Sequence, residues 1–215
     1  MARTVAQPHR RLAAVTNVLP PGAAPDGSRG VVLGEALRLF AEHGYGGASI
    51  RDIAKRVGIK SASLYSHYPS KAHVLAELIR LGHEEHHRRI RTALLEVGAD
   101  PKQQLVAVMR AHVLAHAEYP MLAVVANAEL HALPPEFAAP TLELRRQSEQ
   151  LLLDILRRGV KLGVFHVSDV SLALYAIGGM GLRVSHWYAP SFGKTPQQIA
   201  DAFAEFACRV VGVKN

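Results

Sequence analysis

The chain has 215 residues, 49% of them apolar and 20% charged, with a formal net charge of +7 and a single cysteine. That length can bury a substantial core as one large domain or two small ones. The lone Cys208 excludes an intramolecular disulfide and fits a reducing cytoplasm; no apolar run is long enough to span a membrane, and the N-terminus lacks a secretory signal core. The positive charge is uneven. Residues 1–82 hold 11 Lys/Arg against 5 Asp/Glu, whereas residues 83–215 hold 14 against 13. A basic excess confined to one segment suits a phosphate-binding surface, because each cation placed at a phosphate releases counterions.

Residues 1–27 mix Arg, Pro, Gly and Ala without a period and read as a flexible basic arm, in which Arg3, Arg10 and Arg11 could reach DNA outside the major groove. A first helix is predicted from Ser28 to His43. Val32, Leu33, Ala36, Leu37, Leu39 and Phe40 make its apolar stripe, and Gly44 marks its end. The stretch SIRDIAKRVGIKSASLYSHY, residues 49–68, predicts two short helices joined by a tight turn. Ile50, Ile53, Ala54 and Val57 fall at i, i+3, i+4 and i+7. Ser49 and Asp52 have the spacing of a capping box, Gly58 can close the helix, and Ser61 can cap the next one.

Apart from Leu64, that second helix carries small hydroxyls, an alanine, a phenol and an imidazole, with neither Glu nor Lys. Small and hydroxyl-bearing side chains allow close approach to base edges and thymine methyls, so the pair predicts a helix-turn-helix with its second helix in a major groove. Pro69 breaks this helix. Ser70 can cap a long one from Lys71 to about Val97, whose exposed first amides together with Lys71 offer a phosphate site.

The run from Leu37 to Leu75 resembles the N-terminal domain of the TetR family of bacterial transcriptional regulators. Leu39-Phe40, Gly44-Tyr45, Ser49, Ile53-Ala54, Gly58-Ile59, Leu64-Tyr65, His67-Tyr68 and Lys71 carry the resemblance. Tyr68 stands where Phe is commoner, Ser63 where Gly or Thr is frequent, and Ala72 where Glu is. The resemblance implies that Ser49, Tyr65, His67 and Lys71 hold phosphates, and that Arg51, Lys60, Ser61, Ala62 and Ser63 lie nearest to base edges or adjacent backbone. It also implies an all-α protein: a three-helix DNA-binding domain over residues 28–82, then a helical ligand-binding and dimerisation domain over residues 83–215. Such a protein would be a cytoplasmic homodimeric repressor of a double-stranded palindromic operator, released by a small effector, with no cofactor and no catalytic residue.

The later chain predicts helices only. Pro101, Pro120, Pro134-Pro135, Asp169 and Pro196 open successive segments, among them Met121 to Leu133, a helix ending near Leu162, Val170 to Tyr188, and a last one to about Val211. Ala173, Ile177, Met180, Gly181 and Val184, with Ile199, Phe203, Phe206, Ala207 and Val210, are the candidate subunit contacts. Met109, His112, His116, Met121, Asn127, His131, Tyr175 and Trp187 are candidates to line an effector pocket, Met supplying adaptable apolar surface and the polar groups orientation. Trp187-Tyr188-Pro190 resembles a signature of family members that sense acyl-CoA or related lipid ligands.

One motif points elsewhere. His83, Glu84 and His87 fit H-E-x-x-H, which places two histidines on one helical face to bind zinc with the Glu as general base. It supports the alternative of a zinc-dependent hydrolase, although no third ligand is evident downstream. A non-specific DNA-binding structural protein is the third reading.

Overall fold

The computed structural model describes residues 18–23 and 25–213. Residues 1–17 of the predicted arm, Arg3, Arg10 and Arg11 included, lie outside the described residues. Among the described residues there is no strand. The helices are α1 Ser28–Gly47, α2 Ile50–Val57, α3 Ser61–His67, α4 Lys71–Leu95, α5 Pro101–Glu118, α6 Pro120–Ala128, α7 Pro135–Lys161, α8 Val170–Leu182, α9 Val184–Trp187 and α10 Pro196–Val210. Short 3-10 turns occupy Leu130–Ala132 and Pro190–Phe192.

Local chemistry sets most boundaries. Proline opens α5, α6, α7 and α10, where its missing N–H would have had no helical acceptor. α1 leaves helical geometry at Gly44 (φ 71°, ψ 165°), the residue expected to end it. Two later boundaries differ from expectation. The segment predicted to run to Leu133 stops at Ala128 and tightens into the 3-10 turn. The single helix predicted over residues 170–188 breaks between Leu182 and Val184. Gly178, Gly179 and Gly181 each weaken α8 just ahead of that break.

The chain divides into two compact units. The first comprises residues up to His83 together with Tyr119–Thr141, and the second Glu84–Glu118 with Leu142 onward. The contiguous division expected at residues 82/83 does not contain the return of residues 119–141 to the first unit. Its cause is packing. Met121, Leu122, Val125, Leu133 and Ala138 are buried in one core with Val32, Leu33, Phe40, Leu75 and Leu78. The Tyr45 N–H also donates to Glu129 Oε1 at 3.1 Å.

In the second unit α5 packs along α10, and α8 lies against both. Leu105, Met109, Val113, Leu156, Phe165, Ile177, Val184, Ile199 and Ala207 fill its core. Asp169 caps α8 by accepting from the Ser171 and Leu172 amides, and Thr195 and Gln198 form a capping box on α10. This core corrects the expected subunit contacts. Ala173, Ile177, Gly181, Val184, Ile199 and Ala207 are buried within the chain itself. On α8 and α10 the large apolar groups left outward are Leu172 (67% exposed), Tyr175 (71%), Phe206 (43%) and Val210 (38%). Leu172, Tyr175, Ala176 and Gly179 fall at i, i+3, i+4 and i+7, one outward stripe of α8.

Candidate nucleic-acid interface

The helix-turn-helix is built from α2 and α3. Ser49 caps α2: its hydroxyl accepts from the Asp52 N–H at 3.2 Å, and its own N–H donates to Asp52 Oδ2 at 2.9 Å. The Ser49 hydroxyl also donates to Asp52 Oδ2 at 2.6 Å, and this bond, with that from the Ser49 N–H, holds the Asp52 carboxyl below the ordinary carboxylate range. Gly58 then takes the left-handed conformation (φ 77°), returning its N–H to the Ala54 and Lys55 carbonyls and turning the chain in one residue. The cap of α3 is Lys60, in extended geometry and without a side-chain bond; Ser61, expected there, is already the first helical residue.

Leu64 and Tyr68 are 0% and 1% exposed and fix the rotation of α3. Because they face the core with Ile53 and Leu37, the opposite face of this short helix must turn outward. Ala62, Ser63, Tyr65 and Ser66 are exposed there, while Ser61 and His67 are half-buried at its margins. Arg51, Lys55 and Lys60 are exposed on α2 and at the start of α3. Arg56 is instead tied to Glu42 at 3.0 and 3.3 Å. The exposed surface is therefore small, hydroxylated and flanked by cations, with Asp52 engaged by its cap. That arrangement can take phosphates at its rim and base edges at its centre.

Two predicted phosphate contacts have structural duties as well. Lys71 Nζ donates to the Tyr45 and Ala48 carbonyls, both at 2.7 Å, and stands 4.0 Å from the centroid of the Tyr45 ring. An ammonium has three N–H donors, so one remains to reach a phosphate after the two carbonyls are served. Lys71 thus clamps the turn between α1 and α2 at the start of α4. Ser49 is likewise a cap first.

The expected effector-pocket residues do not form one group. Met121, Asn127 and His131 belong to the first unit, where Met121 is buried, Asn127 bonds the Ala123 carbonyl at 2.8 Å, and His131 is exposed with its Nδ1–H on the Ala128 carbonyl. Tyr175 lies on the outward stripe of α8, and Trp187 joins Tyr188, Phe192 and Phe203 in an aromatic cluster of the second unit. Met109, His112 and His116 remain together on α5.

The H-E-x-x-H histidines have other partners. His83 Nε2 lies 3.4 Å from the Ala126 carbonyl, His87 Nδ1 2.8 Å from Ser148 Oγ, and Glu84 is exposed. Among the described residues, the group able to converge on a metal is His86, His112 and His116 instead. The sequence carried a signal for it, a second pair of histidines four apart at 112 and 116. His86 belongs to the cluster at residues 83–87 but falls outside the H-E-x-x-H spacing.

Comparison with known proteins agrees with this architecture. Residues 32–78 match the family described as bacterial regulatory proteins, tetR family, and residues 98–211 match the tetracyclin repressor-like C-terminal domain. The HTH-type transcriptional repressor KstR2 of Mycobacterium tuberculosis is 29% identical over 177 residues, covering 81% of this chain and 88% of that protein. The solved structure of KstR2, described as a ketosteroid transcriptional regulator, superposes with a TM-score of 0.82 at 26% identity, over 90% of this chain and 98% of that one. PfmR, a TetR-family regulator from Thermus thermophilus, gives a TM-score of 0.75 at 35% identity, over 83% and 97%. A regulator of the same family from Rhodococcus RHA1 gives 0.79 at 30% identity, over 86% and 97%. The chain belongs to the TetR family of bacterial transcriptional regulators.

Proposed function

We infer that the protein is a cytoplasmic repressor that binds a palindromic operator as a homodimer and is released by a small effector. The observation that carries this reading is the outward face of α3: Ala62, Ser63, Tyr65 and Ser66 exposed over a buried Leu64, with Arg51, Lys55 and Lys60 beside them. A single short helix specifies few base pairs, so a two-fold dimer reading two half-sites is the economical solution. The outward stripe of α8 with Phe206 and Val210 on α10 supplies an apolar surface for that dimer. Ser49, Tyr65, His67 and Lys71 hold phosphates in this reading, while Lys60, Ser61, Ala62 and Ser63 approach the bases and Arg51 the adjacent backbone.

The effector is apolar or of the acyl-CoA type. The Trp187-Tyr188-Pro190 resemblance supports this class, and so does the likeness to a repressor named for ketosteroids. Release requires an effector that favours the non-binding arrangement, typically by about 1–3 kcal/mol of coupling. An electrophoretic shift with the DNA upstream of its own coding region, in excess competitor, tests the reading. Retarded specific DNA that a Ser63→Glu variant no longer retards is expected. Equal retardation of every duplex would favour a non-specific DNA-binding protein.

A further inference from the structure

We propose that His86, His112 and His116 form a binding site for a divalent first-row transition ion, with Zn²⁺ as the reference ion. The site lies wholly within the second unit and stands independently of the operator-binding reading. One ligand atom from each ring falls within 4.8 Å of the others. The ring centroids are 4.6, 5.0 and 5.7 Å apart in edge-to-face pairs, so three imidazoles are gathered from α4 and α5.

The hydrogen bonds around the rings set their tautomers in the way a metal site requires. His112 Nε2 lies 2.9 Å from the Gly178 carbonyl, which can only accept, so Nε2 carries the proton and Nδ1 the lone pair. His116 Nδ1 lies 2.8 Å from the His112 carbonyl, which by the same logic places the His116 lone pair on Nε2. Imidazole ligands are characteristically oriented by donating their other N–H to a carbonyl or carboxylate, and here backbone carbonyls serve two of the three rings. His86 Nε2 lies 2.7 Å from His112 Nδ1, so in the metal-free protein it donates to that lone pair.

Metal entry breaks this last bond. The His86 proton leaves Nε2 and is replaced through solvent by one on Nδ1, and both freed lone pairs turn to the ion. No net proton is released, since all three rings stay neutral. Tetrahedral Zn–N bonds of about 2.05 Å place neighbouring nitrogens about 3.3 Å apart. The His86–His112 spacing of 2.7 Å is shorter than that and the three ligand atoms lie within 4.8 Å of one another, so the change asked of the rings is of the size that χ rotations supply. Three protein nitrogens leave a fourth position open for water or another donor, the pattern of a site that exchanges ligands. Imidazole donors suit Zn²⁺, Ni²⁺ and Cu²⁺ over Mg²⁺ or Ca²⁺.

The fold also makes room for the central ring. A Cβ on Gly181 would lie 2.0 Å from His112 Cδ2, so α8 carries a glycine where the imidazole is seated. A helix glycine costs about 1 kcal/mol relative to alanine. The sequence accepts that cost at the position that holds His112 between α8 and His86.

The test uses the full, untagged chain stripped with a chelator and then titrated with Zn²⁺ against a chromophoric competitor, with Co²⁺ as a spectroscopic reporter. One ion per chain is expected, with the visible absorption of nitrogen-ligated Co²⁺. His86→Asn and His116→Gln should each weaken binding by more than the ~100-fold that loss of an outer partner can reach, whereas His131→Ala leaves it unchanged. Circular dichroism checks that each variant is folded. Absence of stoichiometric binding by the wild-type chain would overturn the proposal, whatever the variants do. So would binding that survives in the folded His86→Asn/His116→Gln double variant.

Discussion

Helices α3 and α8 both leave a face in solvent that lacks the Lys and Glu of an ordinary exposed helix, and they depart from it in opposite chemical directions. On α3 the outward groups are Ala62, Ser63, Tyr65 and Ser66; on α8 they are Leu172, Tyr175, Ala176 and Gly179. A hydroxylated face with flanking cations can exchange water for phosphates and base edges. An apolar one gains only by meeting another apolar surface. In each case the inward residues decide what faces out: Leu64 and Tyr68 for α3, Ala173 and Ile177 for α8.

Removing the anchor of α3 should break the comparison most severely. Leu64→Ala deletes a fully buried side chain, which costs about 2–5 kcal/mol; thermal unfolding should register it, with DNA binding lost alongside. Leu172→Glu with Tyr175→Glu should instead leave folding intact and convert a dimer to monomer in sedimentation. A sedimentation profile unmoved by the double change would place the subunit contact elsewhere. Arg51→Ala should lower the slope of log affinity against log salt by about 1 per protomer, weakening binding evenly across sequences. Thr195→Ala removes the cap of α10 and should cost about 1 kcal/mol in denaturant unfolding, with operator recognition unaffected.

A pH dependence sharpens the contrast between units. In the second unit, burial holds the His112 imidazole below its ordinary value, opposed by the Gly178 carbonyl, and desolvation lowers His87 and His186 too. Their unfolded forms take up protons near pH 6.5, before the folded forms do. The stability they contribute is complete above that pH and lost as pH falls below it. Thermal midpoints of the chelator-treated protein, measured downward from neutrality, should decline from about pH 6.5.

The first unit was far more legible in the sequence than the second. The Ser49–Asp52 box and Gly58 act through neighbours within a few residues, so spacing alone exposes them, and Leu64 stands out as the one aliphatic residue larger than alanine in its helix. Lys71 was visible as a cation at a helix start, yet its two carbonyl partners lie 23 and 26 residues away. The docking of residues 119–141 into the first core depends on burial across the chain that no local pattern encodes. The same is true of α8, where two offset stripes are both apolar and only packing decides which faces inward. The histidines illustrate the limit well: H-E-x-x-H selected His83 and His87 by spacing within one helix, whereas the cluster that forms joins His86 to a pair on another.

The most direct test of the account is selection of duplexes from a random pool by the purified full chain, followed by affinity measurement on the winners. The account predicts a two-fold symmetric consensus bound at least 10³-fold more tightly than random DNA at physiological salt, with that preference abolished by Ser63→Glu. A pool that emerges without a consensus, or a consensus equally well bound by the Ser63→Glu protein, would contradict the assignment of α3 as the reading surface.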